Sequence, residues 1–136
     1  MKNIAVIAHD AKKEKLAEFV ENHREWILGT KIVATGKTAE FLETKNIEVK
    51  HLSRGRYGGY NQLTEMVKKG EIDLIIFFID PDVDQPHHED ISRLLKAARH
   101  YDIPLATNPS SAELIIIGLI KKEEAEKAME FIKKKQ

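Results

Sequence analysis

Apolar residues gather in five short runs along the chain, and between the runs they recur three and four residues apart. Strand and helix therefore alternate. Leu74 to Ile79 is unbroken apolar sequence, the pattern of a strand covered on both faces of a parallel sheet, and Asp80-Pro81 ends it abruptly. Ile4 to Ala8 is a first buried strand; Leu16, Phe19, Val20 and Ile27 then mark one face of a helix from about Lys12 to Trp26. Lys31 to Thr35 reads as a second strand, followed after Gly36 by a short helix through about Thr44. Ile47 to Leu52, more charged, suits a third strand at an edge. Leu63, Met66 and Val67 face inward from a helix ending at Gly70. Beyond the central strand, Ile91, Leu94, Leu95 and Ala98 stripe a helix that opens near Glu89 and Asp90, and Ile103 to Thr107 makes a fifth strand. Ser110-Ser111-Ala112-Glu113 has the form of a capping box for an apolar helix, and the tail carries Ala125, Ala128, Met129 and Ile132 at helical spacing. The expected fold is a single doubly wound α/β domain over residues 1–136, with a five-stranded, mostly parallel sheet and helices on both faces.

Composition narrows the function classes. The 136 residues contain no cysteine, which removes disulfides and thiolate chemistry. Lysine plus arginine equals aspartate plus glutamate at 22 each, so binding to nucleic acid through bulk positive charge is not expected. No apolar run has the length of a membrane span, and the amino end enters a strand in place of a signal sequence. A cytoplasmic protein without membrane contact is expected.

Four loops carry unusual residues, and all four follow strands. Right-handed crossovers bring such loops to one edge of the sheet, where open α/β sheets place their ligands. In Ala8-His9-Asp10-Ala11-Lys12-Lys13, Lys13 runs against the helix dipole and suits an anion, while Asp10 equally suits a plain N-cap. Thr35-Gly36-Lys37-Thr38 offers a helix start, two hydroxyls and an ammonium. That is a phosphate cradle or a capped surface turn, too short for a triphosphate loop. In Ser53 to Gln62, glycines permit close backbone approach, and Arg54 and Arg56 can grip a phosphate, a carboxylate or a stacked nucleotide. Tyr60 can also be the first packing residue of its helix. The fourth loop, Asp80 to Asp90, holds Asp80, Asp82, Asp84, His87, His88, Glu89 and Asp90. Without a His-x-x-x-His pair it reads less as a metal site than as a histidine with carboxylates for acid–base work.

Several ordered motifs together resemble the methylglyoxal synthase family. Ala-His-Asp-x-x-Lys stands at Ala8 to Lys13, Ala-Thr-Gly-x-Thr at Ala34 to Thr38, Phe-x-Asp-Pro at Phe78 to Pro81 with Pro86-His87 after it, and Ile-Pro-x-Ala-Thr-Asn at Ile103 to Asn108. The likeness runs from Ile4 to about Ile116. It implies a lyase that takes dihydroxyacetone phosphate, removes a proton beside the carbonyl and expels phosphate to leave methylglyoxal, with no metal or organic cofactor. By the same resemblance Lys13, Thr35, Thr38 and Gly55 hold the phosphate, beside Gly36, Lys37 and Arg54 in the same loops. His9 and Asp10 line the site, His87 relays protons to the substrate oxygens, and Asp80 and Asp90 orient the machinery. A homo-oligomer, a hexamer in the family, is implied as well. Relatives on this scaffold bind nucleotides or other anions in a regulatory role.

Three positions depart from the family pattern. The Gly-Gly pair is followed in the family by an aspartate that serves as base; here Gly58-Gly59 precedes Tyr60. A phenol near its ordinary pKa is a poor proton acceptor at neutral pH. Lys37 stands for a threonine, and Arg54 and Arg56 flank Gly55 in place of Ser and Pro, which adds positive charge. A family arginine near the carboxyl end has no counterpart in the Lys-rich tail. The departures leave two expectations: a lyase whose base is Asp10, Asp80 or Asp90, or a phosphate- or nucleotide-binding regulatory domain.

Overall fold

The computed structural model describes residues 3–54, 58–82 and 88–135. Five strands, β1 (Asn3–Ala8), β2 (Lys31–Ala34), β3 (Lys50–His51), β4 (Leu74–Phe78) and β5 (Leu105–Ala106), form one sheet in the order β3-β2-β1-β4-β5. All of its pairings among the described residues are parallel, with no antiparallel member. β1 and β4 lie side by side through the middle, Ile4 opposite Leu74 and Ala8 opposite Phe78. Chain order runs outward from β1 to β3 and then returns to β4. The sheet therefore reverses direction of winding between β1 and β4, the point at which such folds open a crevice beyond the strand ends.

The period of two in the buried strands divides the core into two layers. Ile4, Val6, Ala34, Leu74, Ile76 and Phe78 point to one face, where Leu16, Phe19 and Val20 of helix α1 (Lys13–Asn22), Leu42 of α3 (Gly36–Thr44) and Ile116 of α6 (Pro109–Lys135) cover them. Ala5, Ile7, Val33, Ile75 and Phe77 point to the other, under Leu63 and Val67 of α4 (Gly59–Lys68) and Ile91, Leu94 and Ala98 of α5 (His88–His100). Both faces of β4 are covered, which is why its sequence shows no polar alternation.

Several boundaries differ from the sequence expectation, each for a local reason. The first long helix is preceded by a turn of 3-10 helix at Asp10–Lys12 and breaks at His23, whose φ −123° and ψ 22° leave the helical range before α2 (Arg24–Leu28) starts. The His23 amide reaches both the Phe19 and Val20 carbonyls, and Arg24 donates to the Lys45 carbonyl at 2.9 Å, tying the break to the end of α3. The third strand is two residues long because Ile47 turns into the core instead of pairing; Leu52 N–H adds one more bond to the Ala34 carbonyl. The capping box at Ser110 to Glu113 does not form. Asn108 Oδ1 accepts from the Ser111 amide at 2.9 Å, Pro109 occupies the first helical position, and α6 then runs unbroken to Lys135.

Candidate functional site

The loops that follow β1 and β4 meet at the winding reversal. The His9 amide donates to the Phe78 carbonyl at 3.1 Å, and the Asp80 amide donates to His9 Nδ1 at 2.8 Å. That second bond fixes the tautomer. With Nδ1 accepting, a neutral ring carries its proton on Nε2, and buried Nε2 has no hydrogen-bond partner among the described residues. Burial pushes the His9 pKa down from its ordinary value; Asp80 and Asp10 oppose this, and Lys13 adds to it. The ring packs edge-on against Phe77, with centroids 5.2 Å apart. At neutral pH His9 is thus an uncharged donor. Asp80, almost fully buried, accepts from the Asp82 amide at 3.0 Å, so its carboxylate shapes the turn that carries its own amide to His9.

A cationic rim stands beside this pair. Lys13 is 18% exposed at its side chain, donates to the Ala8 carbonyl at 3.0 Å and lies 3.8 Å from Asp10. Lys37, at the start of α3, approaches the other Asp10 oxygen at 3.9 Å. Burial lowers the Lys13 pKa; Asp10 works against that and Lys37 reinforces it. Asp10, 78% exposed, is not the N-cap of the first helix. It lies inside the 3-10 turn and takes the two ammonium groups as partners.

The α3 start is held rather than free. Thr35, the N-cap residue, and Gly36 are both buried, and the Gly36 amide donates to the Ser53 carbonyl at 3.3 Å. Thr38 is buried, and its hydroxyl accepts from the Ala8 amide at 3.2 Å, locking α3 to the end of β1. Arg54 packs across Gly36, where a Cβ would come within 2.8 Å of its Cγ, and its guanidinium reaches Glu40 at 3.5 Å. Gly58 adopts φ +98° before α4. At Gly59 a Cβ would stand 2.1 Å from the Ser53 carbonyl oxygen and 3.0 Å from Thr35 Cγ2, so this glycine is what lets the third loop lie against the second.

Tyr60, the next residue, is both a packing residue and a neighbour of the rim. It is buried in the second core layer and stacks on Phe77 at 5.9 Å with the planes 12° apart. Burial raises its pKa and the charge of Asp10 raises it further, so the phenol keeps its proton at neutral pH. Asp90, in the first turn of α5, pairs with Arg93 at 2.7 Å. Gly55, Arg56, Asp84, Pro86 and His87 lie outside the described residues. His9, Asp10, Lys13, Lys37, Tyr60 and Asp80 are therefore brought to one place, Thr35 and Thr38 brace it, and Asp90 is committed to its own helix.

Sequence reading did not find the His9–Asp80 bond, the Thr38–Ala8 bond or Glu40 as the partner of Arg54. The first two join residues 71 and 30 positions apart, which no local spacing reports. A groove of about 750 Å³ opens at the opposite end of the sheet, lined by residues such as Asn3, Lys31, Lys50 and Glu71. It contains none of the candidate residues.

The chain as a whole is similar to known proteins. Residues 15–107 match the family model of the MGS-like domain. A methylglyoxal synthase of Carboxydothermus hydrogenoformans is 43% identical over 120 residues, covering 88% of this chain and 99% of that protein. One from Clostridium beijerinckii is 43% identical over 114 residues, 83% of this chain and 96% of its own length. Among solved structures, the methylglyoxal synthase of Elizabethkingia anophelis superposes with a TM-score of 0.79 at 35% identity, over 84% of this chain and 76% of that one.

Proposed function

The chain belongs to the MGS-like domain family, and on that premise we propose that it is a methylglyoxal synthase-type lyase, converting dihydroxyacetone phosphate to methylglyoxal and phosphate. The observation that carries this reading is the pairing of a neutral His9 donor, unpartnered among the described residues, with a lysine rim at the winding reversal. A buried N–H without an acceptor costs about 1–3 kcal/mol, and a substrate oxygen removes that cost. The phosphate is drawn by the ammonium groups of Lys13 and Lys37, beside the positive end of the α3 dipole. His9 Nε2–H then donates to the oxygen that becomes negative when the neighbouring carbon loses its proton, a preorganised stabiliser of the enediolate. The hydroxyl on the carbon that lost its proton then gives up its own proton, to the relay that the family resemblance assigns to His87, and becomes a carbonyl. The C=C pair shifts toward the phosphate-bearing carbon, the C–O bond to phosphate breaks, and the enol so formed takes a proton back at that carbon to give methylglyoxal. No metal or organic cofactor enters these steps.

The base is the departure from the family pattern. Tyr60 holds its proton, so it can donate but not accept. Of the three carboxylates, Asp90 is engaged by Arg93 and Asp80 by its own turn. Asp10 remains, exposed and electrostatically coupled to His9, Lys13 and Tyr60. We assign it the proton, and expect slow turnover because its two oxygens stand in ion pairs with Lys13 and Lys37 and must leave them to reach the carbon. The buried Tyr60 also favours a second reading, a binding domain for phosphate or a nucleotide without chemistry.

The protein acts as one domain in the cytoplasm, without nucleic acid or membrane, and as a homo-oligomer, hexameric by family resemblance. The test is release of methylglyoxal from dihydroxyacetone phosphate. Lys13→Ala should raise KM, and His9→Gln should lower kcat. Substrate turnover unaffected by either change would remove both residues from the site.

A further inference from the structure

Helix α6 changes character along its length. On the body, Ala112, Ile115, Ile116, Leu119 and Ile120 face the first core layer. Carried forward at helical spacing, that face becomes Glu123, Glu126, Lys127, Glu130 and Lys134, with Phe131, 60% exposed, at its edge, so the tail lays no buried apolar side chain back on its own domain. The opposite side does the reverse. Leu114 (71% exposed), Ile117, Gly118, Lys121, Ala125, Ala128, Met129 and Ile132 follow one another at intervals of one, three or four and form one outward stripe. Every residue from Glu124 to Lys135 is exposed, and Glu123, just before them, is partly so. At a rise of 1.5 Å per residue the stripe from Leu114 to Ile132 is about 27 Å long. A helical segment of this kind is marginal in water without tertiary contact, and a stripe that starts on the body and continues past it needs a cover of its own length.

We propose that the occupant is the same helix of a second copy, packed antiparallel about a two-fold axis near Glu123. The stripe is self-complementary: small at Gly118, Ala125 and Ala128, and large at its ends, with open space beside Gly118. Its one central charge, Lys121, already pairs with Glu124 at 3.7 Å. Direction follows from charge. A parallel pair would set Lys133, Lys134 and Lys135 of both copies together, whereas the antiparallel pair separates the clusters and brings each toward the other copy's exposed Glu113. Zero net charge leaves little general repulsion between copies. This inference does not depend on the catalytic reading.

The chain has no cysteine, so single cysteines report the geometry directly. With a short bismaleimide, the full-length Ala125→Cys protein should crosslink to a dimer in high yield, because position 125 lies close to the axis. Ile132→Cys should not, because the two copies of that residue lie at opposite ends. Adding Ile117→Glu to the Ala125→Cys protein should abolish its crosslinking while circular dichroism and activity stay as they were. Efficient crosslinking at 132 would mean a parallel pair and overturn the proposal. So would no crosslinking at 125, or a stripe that binds anionic vesicles in place of a second copy.

Discussion

At the residue scale, the site turns on which groups are charged. Its residue types were legible in sequence, since His9, Asp10 and Lys13 stand together after a strand. Their states were not, because burial and a bond to a residue 71 positions away decide them. Burial holds the His9 pKa in the folded chain below the ordinary 6.5. The unfolded chain therefore binds more protons as pH falls through that value, and stability drops on acidification. His9→Gln should flatten this slope. Urea midpoints at about pH 7.5 and about pH 5.5 should lie closer together in the variant than in the unmodified protein, and an equal spread would assign the slope elsewhere. Gly59 makes a steric prediction. A methyl group there meets the Ser53 carbonyl at 2.1 Å, so Gly59→Ala should lose about 1–3 kcal/mol or more in denaturant unfolding.

At the element scale, long apolar signals translated well and short polar ones did not. β4 and the stripes of α4 and α5 came directly from periodicity. The break at His23 and the short β3 depend on tertiary bonds, from Arg24 to Lys45 and from Leu52 to Ala34, that the sequence does not display. The α6 start shows a local competition. Ser-x-x-Glu and Asn-Pro both signal a helix N-terminus here, and the proline at the first helical position decided it in favour of Asn108. Asn108→Ala should cost about 1 kcal/mol, while Ser110→Ala, outside the cap, should be close to neutral. Thermal unfolding of the two variants separates them. Ile76 of β4 is buried in the first core layer under the covering helices, and Ile76→Ala should cost about 2–5 kcal/mol.

At the scale of the whole molecule, strand order and loop placement converge. A parallel sheet reversing between β1 and β4 puts the His9 and Asp80 loops on one crevice, with the lysine rim on one side and Tyr60 packed on Phe77 beneath. The family and the fold follow from motif order; the proposed chemistry departs from the family pattern at the residue after Gly58-Gly59, where Tyr60 stands and Asp10 is assigned the proton. The most direct measurement is release of inorganic phosphate from dihydroxyacetone phosphate by the unmodified protein and by Tyr60→Asp and His87→Ala variants. We predict slow release by the unmodified protein, lost in His87→Ala and raised at least ~10-fold in Tyr60→Asp, the scale on which a positioned base acts. No release above the uncatalysed rate by the unmodified protein or by Tyr60→Asp, with phosphate still bound, would contradict the lyase and leave a binding domain.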